Sequence, residues 1–565
     1  MDIIAKIKDE ITAVIGNACA TLEEKKVFKF EPGYLVPIEI EIPKEKKNGD
    51  FSSNIAMKIT KMVQKNPRET ATLLLENFDL EGTYIERCEI AGPGFINFYL
   101  KPDWKYDALK LIDKMGSNYG KTDVGEGKKV VVEFVSANPT GPMHMGNARG
   151  GVIGDVLANI LKYAGFDVTK EFYINDAGAQ IEKFGKSLEA RYIQAIKGED
   201  AIEFSPDWYQ GDDIKEHAQN FIKINGDKYI DAPTEERQKA LVDYALPINI
   251  ANLKTGLEAY KINYDVWFAE STLHKNGEVK ETIDALKQSG LTYEKDGALW
   301  LEATKFGSEK DEVLIRNNGI PTYFAVDIAY HRNKFAIRKF DRAINVWGAD
   351  HHGHVARMKG AMNAIGLDGE KLEIVIMQLV RLMRNGEVAR MSKRTGKMIT
   401  LSDLIEEIGV DAARFFFNLR HSESHLDFDL DLAVAQNSEN PVFYVQYAHA
   451  RIASIINGLK EEGVVIDKDT DITLLKENEE IDLMEKLAKL PDEISICALS
   501  SDPSRITRYV LDLASLFHTF YNAPLCRVKC DDKNLMKARL FLITQVKTVI
   551  KNVLDILGIE APEKM

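Results

Sequence analysis

The order of apolar and polar residues predicts a parallel sheet that begins near residue 129. The run KVVVEFVS (residues 129–136) has almost no polar interruption, which is typical of a strand buried on both faces. A turn rich in proline and glycine follows, and residues 152–166 then carry apolar side chains at helical spacing. DVTKEFYIND (residues 167–176) predicts the next strand. The pattern therefore predicts a βαβ unit with residues 136–151 as its first β-to-α turn.

Later segments predict the rest of this sheet and a helical tail. PTYFAVDIAY (residues 321–330), RAINVW (residues 342–347) and LEIVIMQLV (residues 372–380) are interpreted as strands, and a glycine–histidine turn and a helix follow the second. Residues from about 185 to 310 are charged and mostly helical, and we expect an insertion between two halves of the sheet there. After about residue 405 the pattern is mainly helical.

The length of the chain predicts several domains, because 565 residues exceed what one hydrophobic core usually organises. Residues 1–118 predict an N-terminal α+β domain that begins with an amphipathic helix, and a polar, glycine-bearing linker follows from Tyr119. Residues 119–440 contain the predicted sheet and its insertion, and residues 441–565 predict an α-helical bundle. The expected fold class is a multidomain α/β protein with a Rossmann-type parallel sheet.

Composition narrows the class of protein. The chain is 45% hydrophobic and has a formal net charge of −14, which argues against indiscriminate nucleic-acid binding but permits local basic surfaces. Its five cysteines lack regular spacing, which argues against a disulfide framework and favours a reducing cytoplasm. No run of about 18 apolar residues occurs, so no membrane span is expected, and the N-terminus lacks the pattern of a signal peptide.

The turn SANPTGPMHMGNARGG (residues 136–151) holds the first candidate chemistry, since ligands of doubly wound sheets bind outside the carboxyl ends of strands. Its glycines, with Gly154 beyond them, are expected to let a base or phosphate approach the backbone, and free N–H groups at a helix start favour an anion. His144 and Asn147 are spaced to face one ligand. The turn is neither a P-loop nor a GxGxxG motif. A structural turn with a hydrogen-bonded histidine is the alternative.

A second candidate is RMSKRTGKMITL (residues 390–401), a basic, glycine-bearing loop ahead of a predicted helix. Flexible loops with lysine and serine suit transient clamping of a triphosphate. A solvated basic loop would have a similar composition. The occurrence of both segments in this order favours a nucleotide site over either alternative.

The two segments together resemble the signatures of class I aminoacyl-tRNA synthetases. HMGN (residues 144–147) is similar to HIGH, and RMSKR (residues 390–394) is similar to KMSKS. Flanking text such as FYINDAGAQI, WGADHHGHVARMKGAM, NPVFYVQYAHARI and FHTFYNAP resembles arginyl-tRNA synthetases of the bacterial type. The resemblance covers nearly the whole chain, more weakly in the insertion. Asn147 replaces the second histidine of HIGH, and Arg390 replaces the first lysine of KMSKS.

This resemblance implies an arginine–tRNA ligase that makes arginyl-adenylate from L-arginine and ATP and transfers arginine to the 3′-terminal adenosine of tRNA(Arg). Such phosphoryl chemistry needs no protein nucleophile, because it depends on positioning and electrostatic stabilisation. Mg²⁺ is expected to accompany ATP. The catalytic residues implied are His144, Asn147 and Lys393. The ATP-binding residues implied are these three together with Gly146, His351, Met391 and Ser392.

An arginine pocket needs carboxylate and amide oxygens, because a guanidinium donates five hydrogen bonds and accepts none. Where the family's motifs place them, the candidates are Glu133, Asn138, Tyr323 and Asp327. For Glu133, a structural ion pair at the strand end is the alternative.

The histidines of the segment GADHHGH suggest a zinc site at first sight. Thiolate ligands are missing, however, because no cysteine occurs between Cys88 and Cys497, and the resemblance implies no zinc. We therefore expect no resident metal, and we expect this cluster to line the ATP–arginine cleft. Its members are His351, His352 and His354.

The helical tail resembles an anticodon-binding domain, which implies tRNA contacts at Tyr447, Arg451 and Met565. Tyr447 and Arg451 lie four residues apart on one helix face and can stack on an unpaired base, although a core tyrosine with a satisfied arginine is the alternative. The family is mostly monomeric, so a cytoplasmic monomer is expected. Two other functions stay open: a class I synthetase for another amino acid, and a non-catalytic RNA-binding relative.

Overall fold

The computed structural model describes residues 2–30, 36–351, 353–389 and 399–565. The first domain is an α+β unit in which a helix covers a three-stranded antiparallel sheet, as predicted. The helical segment of residues 55–63 is interrupted at Ile59. The elements are α1 (Ile3–Glu24), β1 (Phe51–Ser53), α2 (Ile55–Lys58), α3 (Thr60–Val63), α4 (Pro67–Leu75), β2 (Ile85–Ala91), β3 (Phe95–Leu100) and α5 (Asp103–Met115).

The middle of the chain forms the α/β domain. Its strands are β4 (Lys129–Glu133), β5 (Asp167–Ile174), β6 (Val266–Ala269), β7 (Thr292–Lys295), β8 (Ala298–Leu301), β9 (Glu312–Ile315), β10 (Arg342–Gly348), β11 (Leu372–Met377), β12 (Val380–Arg384), β13 (Glu387–Val388) and β14 (Leu426–Asp429). Its helices are α6 (Gly146–Tyr163), α7 (Ala179–Lys197), α8 (Asp212–Asn225), α9 (Thr234–Ala259), α10 (Glu270–Lys275), α11 (Glu278–Gln288), α12 (Tyr323–Arg332), α13 (His354–Ala364), α14 (Leu401–Ile408), α15 (Val410–Phe417) and α16 (Leu430–Val434).

Five parallel strands form the central sheet in the order β11-β10-β4-β5-β6, which confirms the predicted Rossmann-type fold class. The chain starts in the middle at β4, runs to one edge, and returns to build the other edge through β10. The strand order therefore reverses between β4 and β10, where Glu133 and Asn345 lie opposite each other. In sheets of this type, ligands bind at the carboxyl ends of the two strands that flank the reversal.

Two predicted assignments need correction. Strand β6 lies within the expected insertion but forms an edge of the central sheet, so the segment of about 185 to 310 is only partly inserted. The rest forms α7–α9 around a small core of their own and the antiparallel sheet β7-β8-β9. PTYFAVDIAY was expected to be a strand, yet it forms helix α12, which Thr322 caps by accepting a hydrogen bond from the N–H of Ala325. A short apolar run does not distinguish a buried helix from a strand.

The last part of the chain is helical, as predicted, and its core is continuous with one face of the central sheet. No helix within the described ranges is both long and apolar enough to cross a bilayer. The helices are α17 (Pro441–Glu461), α18 (Asn478–Ala488), α19 (Leu490–Ser500), α20 (Ser504–Asn522) and α21 (Lys533–Leu557).

Candidate active site

A cavity of about 420 Å³ opens at the carboxyl ends of β4 and β10, where the strand order reverses. It is lined by Glu133, Tyr323 and Asp327, which were predicted to bind arginine, and by His351, which was predicted to bind ATP. The structure thus brings four of the predicted residues to one cavity. Asn138 is exposed in the turn after β4 and does not line it.

The backbone is strained where β4 leads into this cavity. Val135 and Ser136 have φ values of 69° and 43°, in the left-handed region that a β-branched residue such as valine rarely adopts. The Ser136 hydroxyl donates to the Glu133 carboxylate at 3.2 Å and accepts the N–H of Tyr173 at 3.1 Å. These bonds hold the turn, and strain of this kind is typical of functional sites.

Glu133 takes part in a buried ion pair. Its Oε2 accepts a hydrogen bond from Nζ of Lys334 at 2.6 Å, and Lys334, which is fully buried, also donates to Oδ1 of Asn345 at 3.0 Å. Lys334 lies in a π-helical turn, Asn333–Ile337, an irregularity frequent at functional sites. The ion pair that sequence reasoning left open is therefore present, and the same carboxylate still faces the cavity.

His331 is a buried part of the cavity wall and is a neutral group. Its Nδ1 donates to the carbonyl of Asp327 at 2.8 Å, and its Nε2 accepts from the amide of Asn345 at 3.1 Å. Burial, with repulsion from Lys334, lowers the pKa of His331 to about 3. The imidazole is therefore uncharged at neutral pH and adds no positive charge beside a pocket for a cation.

The three carboxylates that line the cavity differ in their partners. Glu133 pairs with Lys334, and Glu312 accepts from the Arg357 guanidinium at 2.7 Å. Oδ2 of Asp327 lies 3.0 Å from Nε2 of His354, and its side chain is 39% exposed. Asp327 is thus the cavity carboxylate that has no permanent cation as a partner among the described residues, which favours it as the acceptor for a bound guanidinium.

The first signature turn precedes α6, which begins at Gly146. Nδ1 of His144 accepts the N–H of Gly146 at 3.0 Å, and the N–H groups of Asn147 and Ala148 donate to the carbonyls of His144 and Met145. The expectation of free N–H groups at this helix start is therefore wrong for this conformation. Burial lowers the pKa of His144, so the neutral ring presents its Nε2–H outward as a donor.

The glycines of this segment serve packing. A Cβ atom at Gly154 would lie 2.2 Å from Cγ of Phe134, and one at Gly151 would lie 2.9 Å from Cδ1 of Ile262. The expectation that both give a nucleotide access to the backbone is wrong, because they face the core and let α6 approach β4 closely. This is a helix–strand packing role.

Residues 399–401, a few positions after the second signature, are joined to the first signature by backbone hydrogen bonds. The N–H of Met145 donates to the carbonyl of Ile399 at 3.1 Å, and the N–H of Leu401 donates to the carbonyl of Met143 at 2.9 Å. The turn of the first signature therefore lies beside residues 399–401, which follow the second signature in the sequence. Several predicted residues lie outside the described residues: His352, Arg390, Met391, Ser392 and Lys393.

Sequence reasoning missed several groups that shape the site. Arg149 is fully buried and donates to the carbonyls of Gln378, His421 and Ser424, which joins the start of α6 to two loops. Burial lowers its pKa to about 10. The sequence around Arg149 and Lys334 did not mark either residue as buried, since polar residues or glycine lie close to both. Their partners are distant in sequence and were not readable.

Two of the predicted tRNA-contacting residues of the helical domain, Tyr447 and Arg451, lie on an aromatic face. The Arg451 guanidinium is 5.3 Å from the Tyr447 ring and 4.7 Å from the Tyr521 ring. Tyr447 is partly exposed and lies nearly parallel to His518, with ring centroids 6.0 Å apart. Met565 is 54% exposed. This face offers a planar, cationic surface.

The parallel sheet, the cavity at its reversal point and the presence of both signatures in the sequence define a class I aminoacyl-tRNA synthetase. The family described as tRNA synthetases class I (R), catalytic domain, matches residues 111–437. Residues 3–100 match the arginyl tRNA synthetase N terminal domain, and residues 445–565 match the DALR anticodon binding domain. The chain belongs to the arginyl-tRNA synthetase family. The domain boundaries at residues 118 and 440 stay predictions.

Relatives of known function match over the full length. The arginine–tRNA ligase of Acetivibrio thermocellus is 59% identical, with 100% of both chains covered. That of Ruminiclostridium cellulolyticum is 59% identical over 99% of this chain and 100% of its own. The structure of Thermus thermophilus arginyl-tRNA synthetase has a TM-score of 0.75 at 22% identity and covers 98% of this chain and 100% of its own, which supports the fold.

Proposed function

We infer that this chain is an arginine–tRNA ligase, which activates L-arginine with ATP and transfers it to tRNA(Arg). The full-length identity to arginine–tRNA ligases carries this conclusion. The acidic cavity beside the signature turn supports it. A synthetase for another amino acid and a non-catalytic RNA-binding relative are not favoured, since the catalytic-domain family itself matches the arginine subgroup.

In this proposal, the guanidinium of arginine enters the cavity and pairs with Asp327. Two parallel hydrogen bonds to one carboxylate select arginine over lysine, which cannot pair in this way. Glu133 adds negative charge, and Tyr323 forms a wall whose hydroxyl accepts the N–H of Ala179 at 3.1 Å. Asn138 is proposed to reach the substrate from the exposed turn.

ATP is proposed to lie over the start of α6, beside the arginine cavity. The arginine carboxylate attacks the α-phosphate and pyrophosphate leaves; the terminal ribose hydroxyl of tRNA then attacks the arginyl carbonyl and AMP leaves. His144, through Nε2–H, and Lys393 would stabilise charge on the phosphates, and the α6 dipole adds to this. Gly146, Asn147, His351, Met391 and Ser392 complete the proposed ATP site.

Mg²⁺ is proposed to arrive with ATP. The described residues contain no group of three or more side chains that could cage a metal ion. They therefore do not fit a resident metal, and Mg²⁺ bound by triphosphate oxygens and water needs none.

We propose that tRNA spans the α/β domain and the helical tail, where an unpaired base stacks on Tyr447 beside Arg451 and Met565. Base stacking on an aromatic ring is worth about 1–3 kcal/mol. We further propose a cytoplasmic, monomeric enzyme.

The test is ATP–pyrophosphate exchange and tRNA charging with arginine, glutamine or cysteine, each with and without tRNA(Arg). Charging is expected with arginine alone. His144→Ala and Lys393→Ala are expected to lower the rate by about 100-fold, since each removes a donor to the developing charge. Lys371→Ala, on an exposed turn, is the matched control and is expected to keep its activity. Absence of any signal with arginine would overturn the proposal.

A further inference from the structure

A chain of hydrogen bonds links the small sheet β7-β8-β9 to the cavity. Glu312 on β9 accepts from Nη1 of Arg357 at 2.7 Å, and Nε of Arg357 donates to Nδ1 of His354. Nε2 of His354 lies 3.0 Å from Oδ2 of Asp327. Arg357 and His354 lie three residues apart on α13, and Asp327 lies on α12, so the chain crosses three elements.

The direction of each bond in this chain is determined by chemistry. A guanidinium only donates, so Nδ1 of His354 must accept from Arg357 and therefore carries no proton. The ring proton is then on Nε2 and is donated to Asp327. This bond uses one lone pair of Oδ2, and the remaining lone pairs of the Asp327 carboxylate can accept a bidentate guanidinium. The ring itself is held by packing, with centroids 5.7 Å from Phe324 and 5.4 Å from Trp347.

Burial of the histidine supports a fixed arrangement. The His354 side chain is 11% exposed, against 39% for Asp327, so the donor is shielded while the acceptor faces the cavity. A short acidic side chain on a helix has several rotamers, and one fixed donor on one oxygen selects among them. Bidentate binding of a guanidinium tolerates little error in the carboxylate plane.

We propose that His354 is a positioning residue for arginine recognition: held as the Nε2–H tautomer by Arg357, it fixes the Asp327 carboxylate in the plane that the guanidinium requires. This rests on the proposed function, because it assigns Asp327 to the guanidinium. His354 acts through Asp327, to which its Nε2 is bonded. Its loss is expected to weaken arginine binding and to leave ATP binding unchanged.

The test is steady-state charging of tRNA(Arg) by the full chain, with KM for arginine, KM for ATP and kcat measured separately. His354→Ala is expected to raise KM for arginine about 10-fold and to change KM for ATP less than about 2-fold, the pattern of a lost ground-state contact. His354→Gln keeps a donor near the Nε2 position and is expected to recover most of the loss. Lys359→Ala, on the same helix and paired with exposed Glu370, is the matched control.

A double-mutant cycle separates positioning from a structural role. Asp327→Asn alone is expected to raise KM for arginine about 100-fold, and addition of His354→Ala is expected to raise it no further. Multiplied losses, an equal rise in KM for ATP, or no recovery by glutamine would overturn the inference.

Failure of folding and failure of the proposed function give different results. If His354→Ala lowers the thermal midpoint of unfolding, Arg357→Lys is a second way to interrupt these hydrogen bonds, because lysine has no Nε donor for His354. Arg357→Lys is then expected to raise KM for arginine as well. Unchanged KM for arginine in Arg357→Lys counts against the inference. Failure of the wild type to charge tRNA with arginine overturns the proposed function instead.

Discussion

Single residues behind the cavity determine its charge. Lys334 offsets Glu133, His331 is kept neutral by burial, and Glu270 lies behind Tyr173, whose hydroxyl donates to it at 2.8 Å. Burial, with repulsion from Asp327 and other nearby acids, raises the pKa of Glu270 from 4.5 to about 7. The negative charge near the arginine site therefore depends on pH as well as on the residues that line it.

This raised pKa predicts a pH-dependent stability. The folded state holds the Glu270 proton more tightly than the unfolded state, so the stabilisation is complete below pH 4.5 and is lost as pH rises through about 7. Glu270→Gln has no charge to bury and still accepts from Tyr173. At pH 8 it is expected to be more stable than the wild type by about 1–3 kcal/mol, since one pKa unit corresponds to about 1.4 kcal/mol.

Urea unfolding at pH 5 and at pH 8 measures this effect. The advantage of Glu270→Gln is expected at pH 8 and expected to shrink at pH 5. Tyr173→Phe removes the donor without removing the carboxylate and is the matched control. An advantage equal at both pH values contradicts the assignment to Glu270.

At the scale of elements, helix α6 connects the cavity to the core. Its start lies beside His144, its middle packs on Phe134, and Arg149 ties it to loops after β11 and α15. The close approach of α6 to β4 depends on the absence of a side chain at Gly154.

Gly154→Ala is therefore expected to destabilise the protein. The added methyl group meets the Phe134 ring, and overpacking of this kind costs about 1–3 kcal/mol. Gly16→Ala on α1 is the control, because nothing lies within 4 Å of its added Cβ and alanine is the better helix former, so a small gain is expected there. Urea unfolding measures the stability of both variants. If Gly154→Ala is as stable as the wild type, the packing role of Gly154 is contradicted.

Sequence patterns predicted the central elements because their periodicity is local. Strands β4, β5 and β10 and helix α6 were found from buried runs and helical spacing. Helix α12 was missed because a short, mostly apolar run fits either structure, and β6 was missed because four half-buried residues give no periodic signal. Of the site, the residues that belong to the family's sequence motifs were predicted. The supports Lys334, His331 and Arg357 were not, because their partners are set by tertiary packing.

At the scale of the whole molecule, Arg414 joins three parts of the chain. It is fully buried on α15, donates to the carbonyl of Leu557 at 2.6 Å and to that of Tyr260 at 3.1 Å, and pairs with Asp155 on α6. The helical tail, the segment after α9 and the helix of the first signature therefore share one guanidinium.

Arg414→Met is expected to lower the free energy of unfolding by about 3–5 kcal/mol. It leaves buried carbonyl groups without donors, and Lys170 is then the one cation that this ion pair leaves to Asp155 among the described residues. Arg381→Met is the control, since that arginine is 63% exposed in its pair with Asp427 and its loss is expected to change the stability of the protein little. Urea unfolding, with limited proteolysis to report on the α21 junction, measures the difference. Equal losses in the two variants contradict a joining role for Arg414.

The contacts of helix α21 have a consequence for folding during synthesis. Asn552 donates to the carbonyls of Gly116 and Tyr119, and Asn159 donates to the carbonyl of Ile556, 397 positions later in the chain. A ribosome that adds about 5–20 residues per second needs tens of seconds to cover that distance. The central sheet and α6 are therefore synthesised long before α21, which packs on α6. During that interval, the polar groups and apolar surface that α21 covers in the folded protein remain exposed to solvent.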